Sequence, residues 1–349
     1  MDLKIAKNFT QIGFLCRTVT RSSNPIPLFF IADHFEIQFI VFTPDGVDFE
    51  KDTVTGVSFI NGEWRDIVTK IPKITFNAIL STGKNDAFFC NLEKHSYILR
   101  DNPHFNKQHI YELLKNDGKF EGILIPSKYI NSFSDIVEAL KQTKDIILKP
   151  TNWNQGRGII KISQTVNKKK YLIIRGIDQL QMTLEDLQKF FNENIVKGAY
   201  LWQPYIASVT KKGEPFDIRL AAIRGKTGDF QITYYPRIGN SEGVVSNVES
   251  GGYTTDFWQF LKYNFSPNEI AEITGELKKL NGLPAHYANL CTGKKIFDLG
   301  FDFGFCKIDG KYKPFLFEVN ICLATYKICE IHVIMCQHFR YLADKLKDS

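Results

Sequence analysis

No apolar run in this chain of 349 residues is long enough to cross a bilayer, and the start, Met1-Asp-Leu-Lys-Ile-Ala, has no signal-peptide core. Membrane partners are therefore not expected. Seven cysteines, an odd number, include no Cys-x-x-Cys pair. Without an export signal they read as reduced thiols of a cytoplasmic protein. No Gly-Lys-Ser/Thr follows a glycine-rich loop, which excludes a Walker loop. No Ser-His-Asp set or activated cysteine stands out, and there is no internal repeat, low-complexity segment or coiled-coil run. Neither sign of charge dominates: the formal net charge is +6, with acids and bases mixed. That suits an anionic small ligand and gives no reason to expect nucleic acid.

What is present is concentrated near the carboxy-terminal end. Residues 297–320 hold two aromatic-rich runs around Asp309-Gly310, the pattern of a β-hairpin. Asp302, Glu318 and Asn320 interrupt these otherwise apolar strands. Buried carboxylates need compensation, and an all-oxygen set of this kind suits Mg²⁺. Strand alternation puts Glu318 and Asn320 on one face. A strict two-residue loop would pair Asp302 with Phe317 and point it away from them. A three-residue loop, Ile308-Asp309-Gly310, or a bulge at Pro314 would restore the shared face, so a loop of odd length or a bulge is expected. The competing reading is a surface hairpin with solvated acids.

The remaining chain alternates strand and helix signals. Short apolar runs at 12–17, 37–42, 57–60 and 78–80 suggest a first α/β lobe ending near Arg100. A helix is expected from Asn106 to Lys115, a strand at 122–126 and a helix from about Phe133, with Ser132 and Asp135 at capping-box spacing. Strand, loop, strand follows over 145–162. Its glycines, Gly156 and Gly158, would let backbone N–H groups approach phosphate, with Lys149 adding a point charge; a plain turn with a solvated lysine is the alternative. Thr183 and Asp186 cap another helix. At 200–206 an apolar strand is broken by Pro204; the break would expose backbone to an adenine edge or serve as a linker. Asp217 and Arg219 lie two apart on one strand face and read in isolation as an ion pair. Arg237, Asn247 and Gly251-Gly252 suit an anion-binding loop. Ser266-Pro267-Asn-Glu269 opens a helix, and a last helix is expected from about Ala324 to Lys347. There Cys322, Cys329 and Cys336 fall on a heptad spacing. They read as buried thiols on a core-facing stripe rather than, with His332 and His338, a soft-metal site.

In this order, Leu148-Lys-Pro…Gly156-Arg-Gly158-Ile, Phe216-Asp-Ile-Arg219, Asn247…Gly251-Gly252 and Phe317-Glu-Val-Asn320 resemble the ATP-grasp superfamily, most closely the YheC/YheD family of spore-associated ATP-grasp proteins. The resemblance spans nearly the whole chain. It implies an α+β fold with two lobes clamping ATP behind a Rossmann-like α/β lobe: residues 1–103, a central lobe 104–203 and a C-terminal lobe 204–349. It implies Lys107 and Lys149 on phosphates, a lid at Gln155, Gly156, Arg157 and Gly158, and an adenine hinge at Gln203, Tyr205 and Ile206, with Asp217 beside the nucleotide. Asp302, Glu318 and Asn320 would hold two Mg²⁺ ions, or Mn²⁺ in their place. Arg219, Arg237 and Asn247 would handle the transferred phosphate and the acyl group. The activity implied is ATP-dependent carboxylate–amine ligation through an acyl phosphate, with a peptide or amino-acid conjugate among the substrates. The alternatives are a spore-associated binding protein without turnover, or a kinase of the same fold. One departure stands out: Ile321-Cys322-Leu-Ala follows Asn320 where many relatives have proline.

Overall fold

The computed structural model describes residues 9–21, 26–79, 86–99, 107–151, 158–165, 170–246, 251–291, 295–321 and 329–347. They form three sheets in chain order.

The first sheet holds β1 (Thr10–Leu15), β2 (Ile37–Phe42), β3 (Val47–Asp48), β4 (Thr53–Ile60), β5 (Glu63–Lys70), β6 (Ile74–Asn77) and β7 (Tyr97–Ile98). Its central strands run parallel in the order β2-β1-β6-β7, and β3, β4 and β5 add an antiparallel flank. Helices α1 (Ile26–His34) and α2 (Asp86–Leu92) connect the strands. The strand expected at 78–80 lies instead at Ile74–Asn77, immediately before Ala78.

Helix α3 (Lys107–Asp117) leads into the second sheet, with strand order β12-β11-β10-β9-β13-β8. Its members are β8 (Lys128–Tyr129), β9 (Asp145–Pro150), β10 (Ile160–Gln164), β11 (Tyr171–Arg175), β12 (Asp178–Met182) and β13 (Tyr200–Pro204). Helices α4 (Phe133–Gln142) and α5 (Leu184–Asn194) cover one face. Both start where polar caps satisfy the first free N–H groups: Ser132 and Asp135 form a capping box, and Thr183 accepts from Asp186 N. Residues 122–126 are not a strand. They make turns and a single bridge, Leu124 to Leu316, because this apolar run covers the third-sheet core rather than joining a ladder.

The third sheet, ordered β16-β15-β14-β17-β18, contains β14 (Phe216–Arg224), β15 (Phe230–Ile238), β16 (Tyr253–Thr254), β17 (Asp298–Ile308) and β18 (Lys311–Ile321). Helices α6 (Phe257–Asn264), α7 (Pro267–Lys279) and α8 (Leu283–Leu290) pack on one face. Strand alternation decides what that face receives. From β14 come Phe216, Ile218, Leu220 and Ala222, and from β17 Leu299, Phe301, Phe303 and Phe305, all buried. The opposite face of β17 shows Gly300, Asp302 and Gly304. The opposite face of β14 carries Asp217 and Arg219 at one end and Ala221 and Ile223 at the other. The last two join the core of the first sheet through helix α9 (Cys329–Lys345). Cys336 is buried there, Cys329 is exposed and Cys322 lies outside the described residues, so the expected thiol stripe is only partly present. Among the described residues no helix is long and apolar enough to cross a membrane.

Candidate active site

The β17–β18 hairpin sets the site. Ile308 pairs with Lys311 across Asp309-Gly310, a two-residue loop with φ of 50° and 79° at its two residues. Both values are left-handed, as a tight turn between right-twisted strands requires. The three-residue loop expected from sequence is therefore not formed. The register is instead corrected by a bulge at Phe317: Phe303 pairs with Leu316, and the next residue, Asp302, pairs with Glu318. Pro314 sits in regular pairing with Phe305, so the bulge is not there. The extra residue reverses the face parity of β18. Leu316 and Val319 both reach the core, and Glu318 and Asn320 turn to the face of Asp302. Gly304 makes room for the displaced residue. A Cβ there would run into the Phe317 ring.

On that face lies a four-member charge cluster. Arg219 is directly opposite Asp302, and Asp217 directly opposite Arg237. Arg219 grips Asp302 with two hydrogen bonds, Nε to Oδ1 at 2.6 Å and Nη2 to Oδ2 at 2.8 Å. Arg237 donates from Nε and Nη2 to Asp217, each at 2.7 Å, and its Nη2 is also 2.7 Å from Asp302 Oδ2. Asn320 Nδ2 donates to Asp302 Oδ2 at 2.9 Å, and Ser246 Oγ donates to Asp217. The side chains of Asp302 and Asp217 are 1% and 2% exposed. Burial is the largest influence on Asp302 and pushes its pKa up, but the charges and hydrogen bonds of Arg219 and Arg237 together outweigh it and hold the carboxyl below the usual range. For Asp217 burial prevails and raises the pKa; Arg237 pulls against it and the nearby Asp302 charge adds to the rise. The same-strand pair expected between Asp217 and Arg219 is thus replaced by two cross-strand pairs.

A cleft opens between the second and third sheets. The third sheet lends it Asp217, Arg237, Asp302 and Glu318; the second lends Lys149, Gln203 and the segment after it, Tyr205 and Ile206. Apolar side chains, among them Ile125, Ile147 and Leu316, line the rest. Lys149 follows Ile147 on one face of β9, and its Nζ lies 5.6 Å from the centre of the Phe317 ring. Gln203 Nε2 donates to Ser127 Oγ at 2.5 Å, and Ser127 donates to Ile125 O at 3.1 Å. The Gln203 amide is thereby fixed with its carbonyl oxygen as the remaining acceptor. Lys161 Nζ sits 3.6 Å from the Tyr205 ring.

Of the residues singled out in sequence, Lys149, Gln203, Tyr205, Ile206, Asp217, Arg237, Asp302 and Glu318 line this one cleft. Arg219 and Asn320 bond to Asp302. Gly158 stands just before β10 with φ of 71°, a conformation that favours glycine. Gln155, Gly156, Arg157, Asn247 and the side chain of Lys107 lie outside the described residues. Sequence reasoning missed Ser127, Ser246 and Lys161. Only Ser246, next to Asn247 in a loop already suspected of binding anions, offered a signal.

The oxygen set fits a hard cation. Asp302, Glu318 and Asn320 share one face with no thiol or imidazole among them, and Asn320, donating through Nδ2, keeps Oδ1 for another partner. Among the described residues no group of three His, Cys, Asp or Glu side chains could hold a metal alone. Two carboxylates completed by phosphate oxygens is the arrangement Mg²⁺ commonly takes.

Comparison with known proteins follows the same lines. Residues 98–328 match the family model described as YheC/D-like ATP-grasp. The endospore coat-associated protein YheC of Bacillus subtilis is 24% identical over 247 residues, covering 65% of this chain and 66% of the relative. The chain thus spans about two thirds of the length of that curated relative. Among solved structures, the D-cycloserine synthetase DcsG superposes with a TM-score of 0.53 at 13% identity, covering 96% of this chain and 99% of its own. The ATP-grasp ligase PsnB, complexed with Mg, ADP and a phosphomimetic variant of its minimal precursor, gives 0.51 at 12% identity over 95% and 99%. A RiPP-associated ATP-grasp ligase from Chryseobacterium gregarium, in complex with ADP and a leader and core peptide, gives 0.51 at 11% identity over 97% of each chain. With its family model matched over most of its length and the ATP-grasp fold in place, the chain belongs to the YheC/D-like ATP-grasp family.

Proposed function

We propose that this protein is an ATP-dependent ligase that joins a carboxylate to an amine, forming ADP. The observation that carries the reading is the convergence of Asp302 and Glu318 from the third sheet with Lys149 from the second on one cleft. Phosphoryl transfer asks for positioning and charge neutralisation rather than a protein nucleophile, and those are what this residue set offers.

In this reading ATP lies along the cleft. Gln203, Tyr205 and Ile206 meet the adenine against apolar walls, with Asp217 nearby. Lys149 draws in the phosphates, and Gly158, Gln155, Gly156, Arg157 and Lys107 are assigned to the same phosphates by the family resemblance. Asp302, Glu318 and Asn320 would hold Mg²⁺, which when bound neutralises phosphate charge and orients the γ-phosphate. A carboxylate oxygen of the donor attacks the γ-phosphorus, and the bond to the departing ADP oxygen breaks. Arg219, Arg237 and Asn247 stabilise the charge that builds up on the transferred group. An amine then attacks the acyl carbon, phosphate leaves, and the amine proton passes to phosphate or solvent. PsnB has been solved with a precursor peptide and the Chryseobacterium ligase with a leader and core peptide, and that favours a peptide as one substrate here. Dependence on ATP fits a cytoplasmic setting.

The test is Mg²⁺-dependent ADP release across pooled amino acids and peptides, with mass analysis of the products. ADP, free phosphate and a new amide are expected. A stable phosphorylated product would mean a kinase, and no nucleotide binding would mean a non-catalytic scaffold.

A further inference from the structure

The charge cluster contains a residue with two masters. Arg237 bonds to Asp217 through Nε and Nη2, and reaches Asp302 with Nη2 alone. Asp302 Oδ2 accepts from three donors at once: Arg219 Nη2, Arg237 Nη2 and Asn320 Nδ2. A carboxylate oxygen has two lone pairs, so this atom is already crowded. A cation approaching it must displace a donor. Arg219 holds Asp302 by a two-point grip, which is hard to break. Arg237 and Asn320 each reach Asp302 by a single bond, at 2.7 and 2.9 Å, and Arg237 has a separate two-point grip on Asp217. A cation that takes one lone pair of Oδ2 while Arg219 keeps the other releases both single-bond donors, and of these Arg237 carries the charge.

On leaving, a buried guanidinium needs somewhere to stay. Asp217 provides that anchor, and Asp217 is itself fixed by the Ser246 hydroxyl. Ser246 is 8% exposed and ends the segment Val244, Val245, Ser246 that lines the cleft beside Arg237. Two acids and two arginines make the set neutral while Asp302 and Arg237 stay together. When Asp302 turns to a cation, Arg237 becomes available to an anion in the cleft.

Building on the ligase reading, we propose that Asp217 and Ser246 are positioning residues: they keep Arg237 aimed at the transferred phosphate after cation loading takes Asp302 from it. Neither need touch substrate. Their effect is to couple occupancy of the cation site to affinity for an anion.

The experiment is calorimetric and uses the full chain. Binding of Mg²⁺·ADP is measured first, then binding of inorganic phosphate to the Mg²⁺·ADP-loaded protein, for the wild type, Ser246→Ala, Ser246→Thr and Asp217→Asn. Ser246→Ala is expected to bind Mg²⁺·ADP within about twofold of the wild type and phosphate about tenfold more weakly, the size of one charge-assisted hydrogen bond. Ser246→Thr keeps the hydroxyl and is expected to restore phosphate binding. Asp217→Asn is expected to lose more, on the order of 100-fold. Unchanged phosphate affinity in Ser246→Ala with normal Mg²⁺·ADP binding overturns the proposal and leaves the ligase reading standing. Equal loss of both ligands with a lowered melting temperature also overturns it, since that is a purely structural effect. A wild-type protein that binds no Mg²⁺·ADP removes the ligase reading and this proposal together.

Discussion

Replacing Asp302 by asparagine changes one charge and almost no volume. The wild-type carboxylate is 1% exposed and accepts from Arg219 at 2.6 and 2.8 Å, from Arg237 at 2.7 Å and from Asn320 at 2.9 Å. The substitution leaves two buried guanidinium groups sharing one acid, Asp217, and turns an amide N–H₂ toward donors. Removing one partner of a buried ion pair costs about 3–5 kcal/mol, because the other charge is left uncompensated. For a protein of this size that is a fall in melting temperature of roughly 4–7 °C. The double variant Arg219→Met, Asp302→Asn removes one charge of each sign and leaves the Asp217–Arg237 pair balanced. Its loss is therefore expected to be smaller than the sum of the single losses, by on the order of 2 kcal/mol. The pH dependence has a definite sign. Because the folded pKa of Asp302 is held low, its contribution is present above the unfolded value of about 4 and lost as pH falls through the folded value. Asp302→Asn removes that contribution to the acid limb. Calorimetric melts from pH 3 to 8 would check all three points. A single variant costing under about 1 kcal/mol, or additive single losses, would refute a mutually compensating cluster.

Glu318→Gln keeps the side-chain volume and removes the charge; on the ligase reading Mg²⁺-dependent ADP release should fall by about 100-fold or more, and unchanged release removes Glu318 from the site. Gly304→Ala drives a methyl group into the Phe317 ring and should cost about 1–3 kcal/mol in urea melts; adding Phe317→Leu should recover part of it. His338 is buried, its Nδ1 donates to Gly225 O at 2.9 Å, and burial pushes its pKa down to about 4. Between that value and about 6.5 the unfolded chain binds more protons, so stability should rise with pH by about 3 kcal/mol, and His338→Gln should flatten the rise.

Faces were easier to read from sequence than neighbours. In Leu299-Gly-Phe-Asp-Phe-Gly-Phe305 the alternation of phenylalanine with glycine and aspartate announces a strand with an apolar side and a sparse polar side, and the structure has both. The caps at Ser132, Thr183 and Ser266 were equally local and are all formed. The bulge was not local. Nothing near Phe317 marks it; its ring lies against Gly304 on the other strand, and only the paired register reveals the fit. Pro314 drew attention as a candidate because it cannot donate. On β18, an edge strand, that missing N–H can face away from the ladder at no cost. The partners of Asp217 and Arg219 were hidden for a similar reason. Spacing in one strand says which residues share a face, but sheet order says what lies across from them. Here β14 lies between β15 and β17, which carry Arg237 and Asp302. Residues 122–126 show the converse limit: an apolar run signals burial, and burial alone does not choose a strand.

The buried charges need an explanation that stability does not supply. Exchanging a buried ion pair for well-packed apolar side chains is often neutral or stabilising, so a fold seeking only robustness gains little from four of them. The helix-covered face of the same sheet shows that phenylalanine, leucine and isoleucine fill these strands readily. On β14 the charges occur where the strand meets the cleft and give way to Ala221 and Ile223 under the first-sheet core, while buried Asp298 on β17 lies across from Ile223. The position of the four-member cluster thus follows the cavity. A neutral cluster in which Arg237 spans Asp217 and Asp302 is compensated while closed and, on the proposal above, frees a positive charge when Asp302 is engaged by a cation. That rearrangement places an anion-binding group beside the cleft when the proposed reaction calls for it.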